Sequence, residues 1–250
     1  MRIQSLWRYP VKSMQGEDRN ELIVEWGGVS GDRSFGVVDI TASAVISAKR
    51  EGRLLEATAT LTDAGLRITL PDGREFSPGT DLDDNLSCWL ERPVTLVGAA
   101  THGSGTYECQ EDFEQDESAS VRWDGPEGSF VDESQLHLLT SADLAQLVRE
   151  RPELQWDVRR FRPNVVVDVG TEAFEPWQPG ERYRLGEVEI EIEKACSRCV
   201  MTTRPQPGHL DRQLEVLRHV SKTHGNDVGV RARVRRTGIV RVGDPVTWLN

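Results

Sequence analysis

The stretch Glu187–Lys194, EVEIEIEK, alternates without a break. Val188, Ile190 and Ile192 share one side and the glutamates share the other, the period-2 pattern of a strand with one buried and one wet face. Other short runs rich in β-formers accompany it: GVVDI at 36–40, PVTLV at 93–97, NVVVDV at 164–169, VGVRARVRR at 228–236 and PVTWL at 245–249. The segment LLEATATLTDAGLRITLPDGREF is broken by Asp-Ala-Gly and Pro-Asp-Gly, both turn signals. Two helices stand out. Thr140 with Asp143 makes a capping-box pattern ahead of an apolar stripe of Leu144, Leu147 and Val148, so a helix is expected over about Ser141–Arg151. Asp211–Lys222 is the second, with Leu214, Leu217 and Val220 facing inward. Many strands with a few outer helices predict an α+β protein, mostly β and barrel-like.

A chain of 250 residues has length enough for a real hydrophobic core. With 37% hydrophobic and 28% charged residues the composition is that of an ordinary soluble globular protein. The net charge of −11 disfavours nucleic acid and anionic membranes as partners, so any anion site must be local. The N-terminus MRIQSLWRYPVKS has no apolar run fit for a signal peptide, and no window is long and apolar enough to span a membrane. The expected location is the cytoplasm. Between Thr101 and Gln135 lie ten acidic residues and one basic residue, Arg122. That bias reads as a solvated connecting segment, or as a docking surface for a basic electron donor.

The alternating strand leads into KACSRCVMTTRP, where Cys196 and Cys199 flank Ser197 and Arg198. Several chemistries fit two thiols at this spacing. Cys196-x2-Cys199 with His219-x4-His224 resembles a Cys2His2 zinc array, but 19 residues separate the halves, beyond the usual gap of about 12–15. A redox pair normally opens a helix, whereas VMTTRP with its β-branched residues and proline opposes a long one. A disulfide is disfavoured in a reducing compartment. Two buried structural thiols, or a soft ligand to a redox metal, remain. A metal carried by an anionic group would need basic and hydroxyl residues elsewhere in the chain. Lys12 and Ser13 follow a proline at the end of the first strand, Arg33 follows a Gly-rich turn, and Arg162 and Asn164 stand at the mouth of a buried strand. Their convergence on one anion pocket is the spatial expectation.

Taken in order, YPVKSMQG, GDRSFGVVD, HLLTSADLAQL, RRFRPNVVVD, ACSRCVMTT and GIVRVGDPV resemble the motifs of the MOSC family in its two-part form. The resemblance implies a β-rich MOSC_N region over 1–100, the acidic connecting segment over 101–135 and a MOSC β-barrel with peripheral helices over 136–250. It further implies the molybdenum cofactor, a molybdopterin, with Cys199 as the thiolate ligand to the metal and Cys196 as a neighbour. Lys12, Ser13, Arg33, Arg162, Asn164, Ser197 and Arg198 match cofactor-contact positions or lie beside them, and Thr140 and Ser141 match another contact region at a helix start. The implied activity is an oxidoreductase that reduces N-hydroxylated or N-oxide compounds, with electrons from a separate ferredoxin or cytochrome b5-like donor. The alternatives are a cofactor carrier or sulfur-transfer protein, and a zinc-bearing or purely structural domain.

Two departures from the family pattern bear on substrate preference. Arg204 replaces an apolar residue after the Thr-Thr, and Arg231 stands where relatives tend to carry an aromatic. The chain ends at Asn250 without a cysteine-rich ferredoxin tail, so the expectation is a separate donor, or a chain that is not a reductase at all. Arg231, Arg233 and Arg235 alternate along one strand face, either as charge compensation or as a platform for an anion.

Overall fold

The computed structural model describes residues 1–103, 105–110, 120–170 and 175–249. The densest acidic run, 111–119, lies outside them, and with it the core of the proposed docking surface. The strands of the first half are β1 (Arg2–Arg8), β2 (Glu17–Arg19), β3 (Glu21–Glu25), β4 (Gly28–Val29), β5 (Phe35–Asp39), β6 (Ala44–Val45), β7 (Thr58–Thr62), β8 (Gly65–Thr69) and β9 (Glu75–Phe76). Helix α1 (Thr80–Leu90), strand β10 (Val94–Gly98), helix α2 (Ala99–His102) and the strand pair β11 (Thr106–Gln110) and β12 (Ser120–Asp124) follow. The second half holds β13 (Leu136–Thr140), α3 (Ser141–Glu150), α4 (Val158–Phe161), β14 (Val165–Asp168), β15 (Arg182–Leu185), β16 (Val188–Ser197), α5 (Leu214–Thr223), β17 (Asp227–Arg236), β18 (Gly238–Arg241) and β19 (Val246–Leu249).

Strand dominates, as the alternating pattern requires. The largest sheet runs β19-β15-β16-β17-β13-β14-β1-β2, and the others have five strands (β10-β5-β6-β11-β12) and three strands each (β18-β3-β4 and β7-β8-β9). The expected barrel is not a closed ladder: β19 and β2 remain the edges of the large sheet among the described residues. Val188, Ile190 and Ile192 are buried in β16, while the glutamates between them are less so. Two register shifts, at Ile192/Lys194 and Ala195/Ser197, interrupt the pairing of β16 with β17 just before the second cysteine. Such bulges bend a strand and re-aim its side chains.

The helices are amphipathic for plain reasons. Leu82, Leu86 and Leu90 recur at four-residue spacing and are buried under α1. The α3 capping box is formed, with Thr140 Oγ1 accepting from Asp143 N at 3.0 Å and the Asp143 carboxylate accepting from Thr140 N at 2.8 Å. Of the expected α3 stripe, Leu147 is buried and Leu144 packs against the core, but Val148 is exposed because α3 touches the core along one narrow edge. In α5 the buried residues are Val216, Leu217 and Val220, with Leu214 only half-buried at the helix start. No helix among the described residues is long and apolar enough to cross a membrane.

Two main cores are formed by the described residues, and one of them draws on both halves of the chain. One gathers Ile3, Leu6, Leu22, Val24 and Val29 with Leu136, Val165, Ile190, Ala232 and Val246. The other is built wholly from residues between Val11 and Val94. Within 101–135, β11 and β12 extend the five-stranded sheet, so part of that segment is structured and not simply solvated.

Candidate functional site

Cys199 follows β16 and caps a single 3-10 turn, Val200–Thr203, with its own backbone extended. Two hydroxyls close that turn: Thr202 Oγ1 donates to Cys199 O at 3.0 Å and Thr203 Oγ1 donates to Val200 O at 2.8 Å. The β-branched VMTT sequence thus yields one tight turn and no longer helix. Arg160, 1% exposed, locks the turn from behind by donating to Thr202 O at 3.0 Å, Arg204 O at 3.2 Å, Gln155 O at 2.8 Å and Asp211 O at 2.9 Å. Cys199 is half-buried at one wall of a cavity, with the buried Cys196 beside it.

The other walls come from distant parts of the chain. Lys12, Ser13, Arg33, Arg162, Asn164, Ser197 and Arg198 line this same cavity, so the structure brings together residues that are far apart in sequence. Ser13, Arg33 and Arg162 all have left-handed backbones, with φ of 69°, 45° and 56°. Non-glycine residues in that region carry strain that the surrounding fold must hold. Among the described residues six cationic side chains line the cavity, from Lys12, Arg33, Arg160, Arg162, Arg198 and Arg231, against one carboxylate from Asp132. In a chain of net charge −11 this is a concentrated reversal of sign.

The cations are held in fixed positions. The Tyr9 ring lies between two guanidinium groups, with Arg33 at 4.4 Å and Arg162 at 4.2 Å from its centroid. Arg33 pairs with Asp32 and donates to Arg162 O, while Arg162 Nη1 donates to Met14 O at 2.7 Å. Arg162 Nη2 is buried and has no acceptor among the described residues. Burial, and then the neighbouring Arg33, pull Arg162 down to about 10, which still leaves it charged at neutral pH. Lys12 donates to Phe130 O at 2.8 Å and pairs with Asp132 at 2.7 Å, while Lys49 approaches the other carboxylate oxygen at 3.3 Å. Burial lowers Lys12 to about 8, against the opposing pull of Asp132.

His137, Asp132 and Arg160 were not singled out in the sequence. His137 is kept neutral, because burial and then Arg198 push it well below its ordinary value. Its Nε2 accepts from Arg198 Nη2, and Arg198 also donates to Val228 O and Phe161 O. Nothing in LHLLT marks this histidine apart from any other on a strand, and Asp132 is hidden at the end of an acidic run. Arg160 is separated from Arg162 by one residue in a string of three arginines whose burial only the fold reveals.

The other expected residues have different settings. Thr140 and Ser141 are not among the cavity-lining residues: Thr140 Oγ1 is committed to the α3 cap, and Ser141 Oγ donates to Asp168 at 3.3 Å. Arg204 also lies off the cavity, donating to Lys49 O at 2.6 Å and tying the cysteine loop to the first half of the chain. Arg231 does line the cavity and pairs with Glu133 at 3.4 Å, whereas Arg233 and Arg235 compensate Glu191 on the outer surface. Asn164 is largely occupied as a clip, its Oδ1 accepting from His137 N at 3.2 Å and its Nδ2 donating to Trp7 O at 3.3 Å. Among the described residues no cluster joins Cys196 and Cys199 to His219 and His224, which removes the Cys2His2 array.

Comparison with known proteins adds to this geometry. The MOSC domain model matches residues 126–247, and the model of the MOSC N-terminal beta barrel domain matches residues 1–103. Mitochondrial amidoxime reducing component 2 of Rattus norvegicus is 28% identical over 98% of this chain and 82% of its own length. Mitochondrial amidoxime-reducing component 1 of Danio rerio is 32% identical over 70% of this chain and 56% of its own. A molybdenum cofactor sulfurase of Drosophila grimshawi is 30% identical over 51% of this chain but only 15% of its own length. Among solved structures, the YUAD protein of Bacillus subtilis shares the fold, with a TM-score of 0.51 and 12% identity over 98% of this chain and 93% of that one.

Proposed function

The chain belongs to the MOSC family, and on that premise we propose that its cationic cavity holds the molybdenum cofactor, with the Cys199 thiolate on the metal, and serves reduction of N-hydroxylated or N-oxide compounds. The observation that carries this reading is the cavity wall itself: a half-buried thiol lines the same cavity as several fixed cations, and Arg162 Nη2 is buried without an acceptor among the described residues. A buried guanidinium donor without a partner is costly, and an anionic group such as a phosphate is its natural acceptor. A thiolate is the soft ligand that such a metal takes. The residues present therefore fit the group.

When bound, the cofactor supplies a two-electron metal couple; the chain's own residues bind and orient it. Lys12, Arg33 and Arg162 line the same cavity as the cysteine loop and would neutralise the negative charge of the group. Arg160 and Arg198 fix the loop through main-chain carbonyls, so the thiol is presented in one place. Arg231 belongs to the wall that a substrate would meet, and Arg204 does not. Removing one oxygen from an N-hydroxylated compound consumes two electrons and two protons, so a ferredoxin or cytochrome b5-like donor belongs to the reading. We place the reaction in the cytoplasm.

Protein made in a cofactor-competent host should carry about one molybdenum per chain, matching the single thiolate position. Cys199→Ser should lose N-reduction with a reconstituted donor while keeping its melting temperature. Full activity in that variant would overturn the ligand assignment. Transfer of cofactor to an apo-enzyme without turnover would support the carrier instead.

A further inference from the structure

His219 and His224, set beside the cysteines by sequence spacing, meet a different residue in space. Glu150 ends α3, His219 lies on α5, and His224 is the α5 C-cap, where the backbone leaves helical geometry (φ −116°, ψ 18°). Glu150 Oε2 is 2.7 Å from Nε2 of each histidine, and the three potential ligand atoms lie within 4.8 Å of one another. We propose that Glu150, His219 and His224 form a binding site for a divalent transition metal, zinc above all, separate from the cysteine cavity and independent of the function assigned to it.

Two imidazoles and a carboxylate are a donor set that zinc accepts, with the fourth position left to water. Around zinc, nitrogen and oxygen ligands sit at about 2.1 Å from the metal and so about 3.4 Å from each other. The carboxylate oxygen therefore needs to withdraw by well under 1 Å to admit the ion, a rotation within reach of a glutamate side chain. Both histidines place Nε2 against the same carboxylate oxygen, so a metal would take the place of two N–H protons at a point all three groups already share. The supporting groups are in place: Gln146 Nε2 donates to Glu150 Oε1 at 2.9 Å, leaving Oε2 to the cluster. The His219 ring packs 5.9 Å from that of Trp156, which is itself pinned by donation to Arg151 O at 2.8 Å. Oriented carboxylates and packed rings of this kind raise metal affinity. Side-chain exposures of 25% for Glu150, 11% for His219 and 19% for His224 leave the cluster reachable from solvent.

Such an ion would clip the end of α3 to the end of α5. Helix α5 packs against the 3-10 turn that follows Cys199, and Val220 of α5 shares a small core with Phe161, which lines the cavity. The site would thus brace the cavity from outside without entering it.

The test is titration of the purified, chelator-stripped chain with zinc against a chromophoric competitor, followed by cobalt substitution. The expected result is one saturable zinc per chain, a rise in melting temperature on loading, and a cobalt spectrum of nitrogen and oxygen ligation without a thiolate charge-transfer band. Glu150→Gln and His224→Gln should each lose saturable binding. A thiolate band, absence of stoichiometric binding to the wild type, or unchanged binding in both variants would overturn the site. The wild-type cobalt spectrum decides the matter even if a variant fails to fold, and none of these readouts depends on molybdenum.

Discussion

Lys12 shows how a single charge in the cavity is set by competing effects. Burial strips water from its ammonium and lowers it from 10.5 to about 8, while Asp132 at 2.7 Å pulls the other way. At neutral pH the group is still cationic. Between pH 8 and 10.5 the unfolded chain keeps a proton there that the native chain has lost, so this group makes stability rise with pH across that window. Anion binding runs in the opposite direction, because the cavity loses a positive charge as pH passes about 8. Titration calorimetry with inorganic phosphate should therefore show weaker binding at pH 9 than at pH 7 in the wild type. In Lys12→Met that step should vanish, and an identical pH profile in both proteins would show that another group titrates. Lys12 and Arg33 were legible in the sequence because a lysine or arginine at a strand end beside a glycine or proline is conspicuous. Asp132, which balances Lys12, was not, because ten acids crowd the same segment and only the fold selects one.

At the scale of elements, local pattern and non-local pairing separate. The α3 cap was readable because Thr140 and Asp143 are three residues apart and their bonds close within one turn. What the cap excludes was less plain: Thr140 Oγ1 already accepts from Asp143 N and donates to Asp143 Oδ2 at 2.8 Å, and the residue is 2% exposed. Its hydroxyl has little left to offer a ligand. Thr140→Ala should cost about 1 kcal/mol in urea unfolding, the usual loss for a removed N-cap. Its molybdenum content should stay at the wild-type level. A collapse of metal content with stability intact would instead return Thr140 to the cofactor. The two bulges at the end of β16 left no mark in the sequence, because the alternation EVEIEIEK runs on unbroken even across the earlier shift at Glu189/Ile190. A bulge is a property of two strands in register, and β17 begins 30 residues after the strand it distorts ends.

The whole molecule is less divisible than its sequence suggests. Strand β1 sits between β14 and β2 in the large sheet, so the first residues of the chain complete a sheet whose other strands, β2 apart, begin at Leu136 or later. Ile3, Leu6, Leu22, Val24 and Val29 carry their side chains into the same core. Burying such side chains contributes about 1.5–3 kcal/mol each. Five of them together rival the net stability of a typical domain, about 5–15 kcal/mol. A fragment of residues 126–250 would lose all of that and leave the β14 edge unpaired, a template for aggregation. We expect this fragment to lack a cooperative thermal transition and a native near-ultraviolet circular dichroism signal, and co-expression with residues 1–103 to restore both. The cavity gives the same arrangement a chemical consequence, since Lys12, Ser13 and Arg33 come from the first half and Cys199 from the second. If the fragment alone melts cooperatively with native spectra, the second half is self-sufficient, and the shared strand would serve only to position the cavity.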